Sequence, residues 1–320
     1  MGQIIAGKWR DEEHDTKAAD GRFVRKESAF RNRVTADGSS GFPAESGRYH
    51  LYVSLACPWA HRTLIFRALK GLEDTISLSV VDPYMGEHGW SFSDGPDCIP
   101  DPLYGARYLY EIYTRANPTY TGRVTVPVLW DKKRATIVSN ESAEIIRMFN
   151  SEFNAVGNAG IDFSPKELRG EIDAINDFVY PNINNGVYRC GFATTQEAYE
   201  EAFAALFSAL DQIETRLGRE PYLVGNRLTE ADWRLFTTLV RFDAVYFGHF
   251  KCNLRRIADY PHLSRYLRQL YQIPGVAGTV NLTHIKRHYY ESHRSINPTG
   301  IVPVGPALEF TKPQREGEQL

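Results

Sequence analysis

"SLACPWAHR", residues 54 to 62, decides how the first half of this 320-residue chain is read. The apolar run before it, in "RYHLYVSLA" (48–56), is a strand. "PWAHRTLIFRALKGL" (58–72) is a helix, with Pro58 in its first turn and Leu64, Ile65, Ala68, Leu69 and Leu72 on one stripe. Cys57 therefore stands between a strand and a helix N-terminus. A dithiol redox motif would place a second cysteine at position 60, but Ala60 is there. A reacted Cys57 needs a thiol from elsewhere to release it.

Working outward, "ISLSVV" (76–81) is a second strand. Asp82 to Gly122 is a long segment rich in Tyr, Pro, Gly and Asp, and such a loop inside a compact domain is usually functional. "VTVPVLWD" (124–131) is a strand interrupted by proline. "TIVSNESAEIIRMFN" (136–150) supplies a short strand and a helix, with Ser139 or Asn140 as N-cap. Everything after about residue 164 reads as helix. Leu168, Ile172, Ile175 and Val179 share one face. "TTQEAYEEAFAALFSALDQIETRLG" (194–218) has capping-box spacing at Thr194 and Glu197. "LTEADWRLFTTLVRFD" (228–243) starts at Thr229, with Asp232 at the box's partner position. "YPHLSRYLRQLY" (260–271) and "GVAGTVNLTHIKRHYYESH" (275–293) complete the helical half. The expected domains are an irregular extension (1–45), an α/β domain (46–157) with insertion 82–122, an all-helical domain (158–298) and an extended or disordered tail (299–320).

Composition narrows the function classes. A hydrophobic fraction of 42%, a charged fraction of 24% and a net charge of −2 describe a soluble globular protein, with no global pull toward nucleic acid or an anionic membrane. No apolar run approaches the roughly 18 residues of a membrane span. "MGQIIAGKWRDEEHD" lacks the form of a signal peptide, and Ala6 stands where a myristoylation signal needs Ser or Thr. Cys57, Cys98, Cys190 and Cys252 are widely spaced, which fits a reducing cytoplasm rather than a disulfide framework. His284 and His288 lie i, i+4 on a helix with only His293 near, so they read as polar helix residues and no metal is expected. No phosphate-cradling glycine loop follows a strand, so no nucleotide cofactor is expected.

The order of elements, a thioredoxin-like α/β domain with a thiol at its first helix followed by an all-α domain, resembles the glutathione transferase architecture. "CPWAHR" (57–62), Gly89-Trp90, "RVTVPVLWD" (123–131), "NES" (140–142), "NNGVYRCGFA" (184–193), Tyr246 and "HYYESH" (288–293), in this order, resemble the glutathionyl-hydroquinone reductases, the Xi class of glutathione transferases. The resemblance runs from about residue 1 to about residue 300. It implies glutathione as co-substrate, aromatic glutathionyl conjugates as substrates and a homodimer formed through the helical domain. It implies glutathione contacts at Trp90, Arg123, Val124, Thr125, Val126, Glu141 and Ser142. It makes Cys57 the nucleophile, Tyr246 and Tyr289 donors to its thiolate, and Tyr188 the proton-transfer residue.

Residue chemistry fits those roles in part. A free thiol is only a few per cent thiolate at neutral pH. Lowering its pKa by about two units takes roughly 2.7 kcal/mol. A helix dipole supplies about 0.3–1 kcal/mol, so further donors are needed. Val126-Pro127 is expected to be cis, leaving the preceding backbone free to pair with a ligand peptide. Glu141 and Ser142 at a helix start suit the ammonium and carboxylate of a γ-glutamyl end, Arg123 a second carboxylate, and Trp90 an apolar wall. Without the resemblance, Tyr188 would read as a surface tyrosine in a loop, and Tyr246 and Tyr289 as packing aromatics. The rival activities are an omega-like thioltransferase or dehydroascorbate reductase, and a non-catalytic binding protein of the same fold.

Overall fold

The computed structural model describes residues 2–11 and 18–312, so the charged end of the tail, 313–320, lies outside the described residues. The chain divides into two compact units. One comprises 1–15, 27–162 and 279–292; the other comprises 16–26, 163–278 and 293–320.

In the first unit, β1 (Gln3–Ile5) and β2 (Lys8–Arg10) form a hairpin from the N-terminal extension. The central sheet holds β3 (Tyr49–Val53), β4 (Ile76–Val80), β5 (Val128–Asp131) and β6 (Thr136–Ser139), in the order β4-β3-β5-β6. β3 pairs parallel with β4 and antiparallel with β5, with Leu51 opposite both Leu78 and Leu129. The step from β3 into α1 (Pro58–Leu69) is the strand–helix junction expected from the opening motif. All five residues of β3 are buried, including His50, whose ring nitrogens meet the hydroxyls of Ser77 (2.7 Å) and Ser79 (2.9 Å). Burial pushes the His50 imidazole down to about 4, so it stays neutral in the core.

The structure departs from the expected boundaries at several places. α1 ends at Leu69 rather than at residue 72, because Gly71 adopts φ +61°. β5 begins at Val128, since Pro127 has no N–H to give to the ladder. α3 (Ser142–Ser151) is capped by Glu141, whose carboxylate accepts from the Ala143 amide at 3.0 Å. Neither Ser139 nor Asn140 caps it: the Ser139 hydroxyl accepts from the Glu141 amide, and the Asn140 side chain is turned elsewhere. The insertion 82–122 holds a helix, α2 (Leu109–Ala116), with the Glu111 carboxylate reaching back to the Tyr108 amide at 2.9 Å. Asp101 fixes the insertion to the sheet, accepting from the Tyr52 hydroxyl (2.9 Å) and from the amides of Leu103, Tyr104 and Ala106.

The second unit is helical: α4 (Arg169–Val179), α5 (Gly186–Gly191), α6 (Gln196–Leu217), α7 (Glu230–Arg241) and α8 (Pro261–Tyr271). π-helical turns at Tyr180–Asn184 and Phe242–Tyr246 extend α4 and α7. Thr229 and Asp232 form the expected capping box on α7, and the buried Asp232 also accepts from the Leu223 amide and the Tyr266 hydroxyl. On α6 the cap is Thr195, not Thr194. The Thr194 amide is engaged by the Gly21 carbonyl at 3.1 Å, leaving the Thr195 hydroxyl oxygen to accept from Ala198. The last helix, α9 (Leu282–Ser292), belongs to the first unit. Its His284 and His288 rings meet the carbonyls of Pro96 (2.7 Å) and Pro83 (2.9 Å), and so hold it against the insertion. Among the described residues no helix is long and apolar enough to cross a membrane.

Candidate active site

Cys57 is the N-cap of α1, half-buried, with extended backbone (φ −76°, ψ 123°) and no side-chain bond to the helix amides. Its Sγ lies 3.6 Å from the Val126 carbonyl oxygen, immediately before the cis proline. The thiol and the edge of the 123–126 segment thus face each other across the start of the helix. That segment carries four of the residues singled out for glutathione.

The structure shows what holds it. Tyr113, on α2 and fully buried, donates its hydroxyl to the Thr125 carbonyl at 2.8 Å and accepts from the Thr125 amide at 3.2 Å. The Asn140 amide donates to the same hydroxyl at 3.1 Å. Tyr120 donates to the Arg123 carbonyl at 2.9 Å. Burial pushes the Tyr113 phenol up, so its hydroxyl proton is retained at neutral pH. None of these supports stood out in the sequence, because each joins residues of the tyrosine-rich insertion to a segment beyond it.

At the other end, Glu141 caps α3 with one carboxylate oxygen, while the other accepts from the Ser28 hydroxyl at 3.0 Å. Ser142 is 2% exposed, and its hydroxyl accepts from the Arg62 guanidinium at 3.4 Å. Arg62 is itself buried beside Trp59, its charge over the indole at 4.6 Å. Trp90 is buried and stacks on His288 of α9 (4.7 Å, 24°), which in turn meets Tyr289 edge-on. Tyr289 is therefore in the same compact unit as Cys57.

Tyr188 and Tyr246 lie in the second unit. Tyr188 sits on α5 and is 9% exposed, so the plain reading of a surface loop is overturned: the π turn ahead of it carries the chain into a helix. Its ring packs against Phe250 (5.4 Å), Tyr246 (6.1 Å) and Phe192 (6.3 Å). Tyr246 is fully buried and stacks on Phe250 at 5.5 Å. Gly191 is required here, since a Cβ on it would meet the Phe250 ring at 2.2 Å. The second unit thus presents two phenols within one aromatic cluster, while the first presents a thiol, a cis-proline edge and a capped helix start.

The family model described as the glutathione S-transferase N-terminal domain matches residues 56–152, and the C-terminal domain model matches 196–269. The glutathionyl-hydroquinone reductase PcpF of Sphingobium chlorophenolicum is 62% identical over 96% of this chain and 97% of its own. The glutathionyl-hydroquinone reductase YqjG of Escherichia coli is 58% identical over 98% of each. The chain belongs to the glutathionyl-hydroquinone reductases, the Xi class of glutathione transferases. Its fold is accordingly the transferase one, an α/β thioredoxin-like domain followed by an all-α domain. The glutathione-bound structure of YqjG superposes on this Xi-class chain with a TM-score of 0.90 over 98% of both at 55% identity. An Xi-class transferase from Natrialba magadii gives 0.93 over 99% of this chain and 97% of that one at 50% identity.

Proposed function

We propose that this chain reduces glutathionyl-hydroquinones to hydroquinones at the expense of glutathione. One observation carries the reading: a single cysteine caps α1 beside the Val126 carbonyl, in a chain 62% identical to a glutathionyl-hydroquinone reductase over 96% of its length. The Cys57 thiolate attacks the sulfur of the conjugate. An S–S bond forms, the sulfur–aryl bond breaks, and the ring carbon keeps the bonding electrons and gains a proton. Tyr188 supplies that proton to the ring system, since a phenol stays protonated at neutral pH and is able to donate. Tyr246 and Tyr289 donate to the thiolate, adding to the modest effect of the helix N-terminus. A second glutathione then attacks the mixed disulfide, leaves as glutathione disulfide and restores Cys57.

Glutathione itself is held by Val124, Thr125 and Val126 as a short extended edge, by Arg123 and Trp90 beside it, and by Glu141 and Ser142 at the start of α3. Ser142, almost wholly buried, acts through its backbone amide, while its hydroxyl is engaged by Arg62. Chlorinated hydroquinone conjugates from aromatic degradation are suitable substrates, the protein works in the cytoplasm where glutathione is reduced, and it is a homodimer. Turnover of a glutathionyl-hydroquinone with excess glutathione tests the scheme. It should release one glutathione disulfide for each hydroquinone formed. Hydroquinone formation without glutathione disulfide would contradict it.

The Tyr113 support makes a separate prediction. Tyr113→Phe leaves the part-buried Thr125 amide without its acceptor and the Asn140 amide with only its longer bond to the Thr125 hydroxyl at 3.3 Å. An unsatisfied donor shut off from water costs about 1–3 kcal/mol. The variant should unfold at lower urea concentration and raise KM for glutathione about tenfold or more. An unchanged KM would show that the 123–126 edge does not hold the co-substrate.

A further inference from the structure

Residues 18–26 of the N-terminal extension belong to the second unit. They are fastened there by several independent bonds. The Thr195 hydroxyl donates to the Asp20 carbonyl at 2.9 Å, the Thr194 amide donates to the Gly21 carbonyl at 3.1 Å, and Arg22 pairs with both Asp20 and Glu201. Gly21 has φ +85°, and a Cβ there would meet the Thr195 side chain at 2.7 Å, so the strap passes too close to α6 for any other residue. This anchoring delivers two side chains to Tyr188. Phe23 packs on its ring (6.3 Å) and on Phe192 (5.5 Å). Arg25 lays its guanidinium over the Tyr188 face at 4.8 Å, held by a 2.8 Å bond from its Nε to the Asn185 side chain, three residues before Tyr188.

We propose that Arg25 is a positioning residue for the proton transfer: its charge, clamped over the Tyr188 ring by Asn185, stabilises the tyrosinate formed as Tyr188 gives up its proton. The inference rests on the reading of Tyr188 as proton donor and goes beyond it by giving the strap a purpose. A guanidinium is attracted weakly by a neutral phenol ring and far more strongly by the same ring carrying an oxyanion. The interaction therefore grows along the reaction, which is what raises kcat rather than only binding. The site is partly buried and lined by Phe23, Phe192 and Phe250, which limits screening of that charge by water.

The test measures kcat and KM for a glutathionyl-hydroquinone in Arg25→Leu, Arg25→Lys, Tyr188→Phe and the Arg25→Leu/Tyr188→Phe double variant. Arg25→Leu should lower kcat about tenfold with KM little changed. Arg25→Lys, which keeps the charge, should recover most of that loss. In the Tyr188→Phe background, Arg25→Leu should cost nothing more, because the group it acts on is gone. Three results would overturn the inference: unchanged kcat in Arg25→Leu, no recovery with lysine, or an equal further loss in the double variant. Full activity in Tyr188→Phe alone would instead overturn the reading on which the inference rests, and so the two failures are distinguishable.

Discussion

Replacing Cys57 with alanine will abolish glutathionyl-hydroquinone reduction, with a loss of at least about 10³-fold in kcat. The size follows from the absence of a substitute. All four cysteines are free thiols, but the other three are poorly suited to attack. Burial pushes the Cys98 thiol up, and it lies in the insertion rather than at a helix start. Cys190 and Cys252 are buried in the second unit, and burial pushes the Cys252 thiol well above its ordinary value. A thiol is not a nucleophile until it ionises, so burial holds back Cys98 and Cys252, while Cys190 is shut away in the core. Cys57 alone combines partial exposure with a helix N-terminus. Assay of the purified variant with excess glutathione checks this. Retained turnover would place the nucleophile elsewhere, and an inert Cys57 in the native protein would favour the binding-protein reading.

The second large effect is expected from Tyr188→Phe. General acid catalysis contributes about 10²–10⁴-fold, and removal of the phenol oxygen should lower kcat for a glutathionyl-hydroquinone within that range. The ring itself remains, so its packing on Phe250 and Phe192 is kept and the fold should be little disturbed. The informative comparison is with a simple glutathione mixed disulfide. There the leaving group is a thiolate, no ring carbon needs a proton, and the variant should keep its activity. Selective loss on the aromatic conjugate separates this chemistry from that of an omega-like thioltransferase, which has no use for Tyr188. Equal loss on both substrates, or none on either, would contradict the assignment.

What could be read directly from the sequence was whatever is encoded locally. The thiol at a strand–helix junction, the cis bond at Val126-Pro127 and the Thr229/Asp232 box each occupy a few adjacent positions, and each formed as expected. Errors arose where a distant partner decides the local choice. Thr194 has the right spacing for a cap, but the Gly21 carbonyl engages its amide. Ser139 and Asn140 precede α3 as good caps do, yet Asn140 is drawn to Tyr113, 27 positions away. The helix at 109–116 was hidden inside a segment whose Pro and Gly content reads as loop, and the π turn at Tyr180–Asn184 broke the period that would have carried α4 into α5. Of the candidate site, the residues in motifs were nameable. Their supports Tyr113 and Ser28 were not, and Arg62, though inside a quoted motif, gave no sign of its partner Ser142, since all three act through long-range bonds. Arg25 was invisible for the same reason.

The missing cysteine at position 60 frames the central claim, that Cys57 holds the glutathionyl group until a second glutathione removes it. Its most direct test is a single turnover. The fully reduced protein is mixed with a slight deficit of glutathionyl-hydroquinone, without free glutathione, and Cys57-containing peptides are examined by mass spectrometry. Hydroquinone should appear in one burst, with one glutathionyl group on Cys57 that disappears when glutathione is added. Release of hydroquinone with Cys57 unmodified, or joined to Cys98, Cys190 or Cys252, would contradict the account.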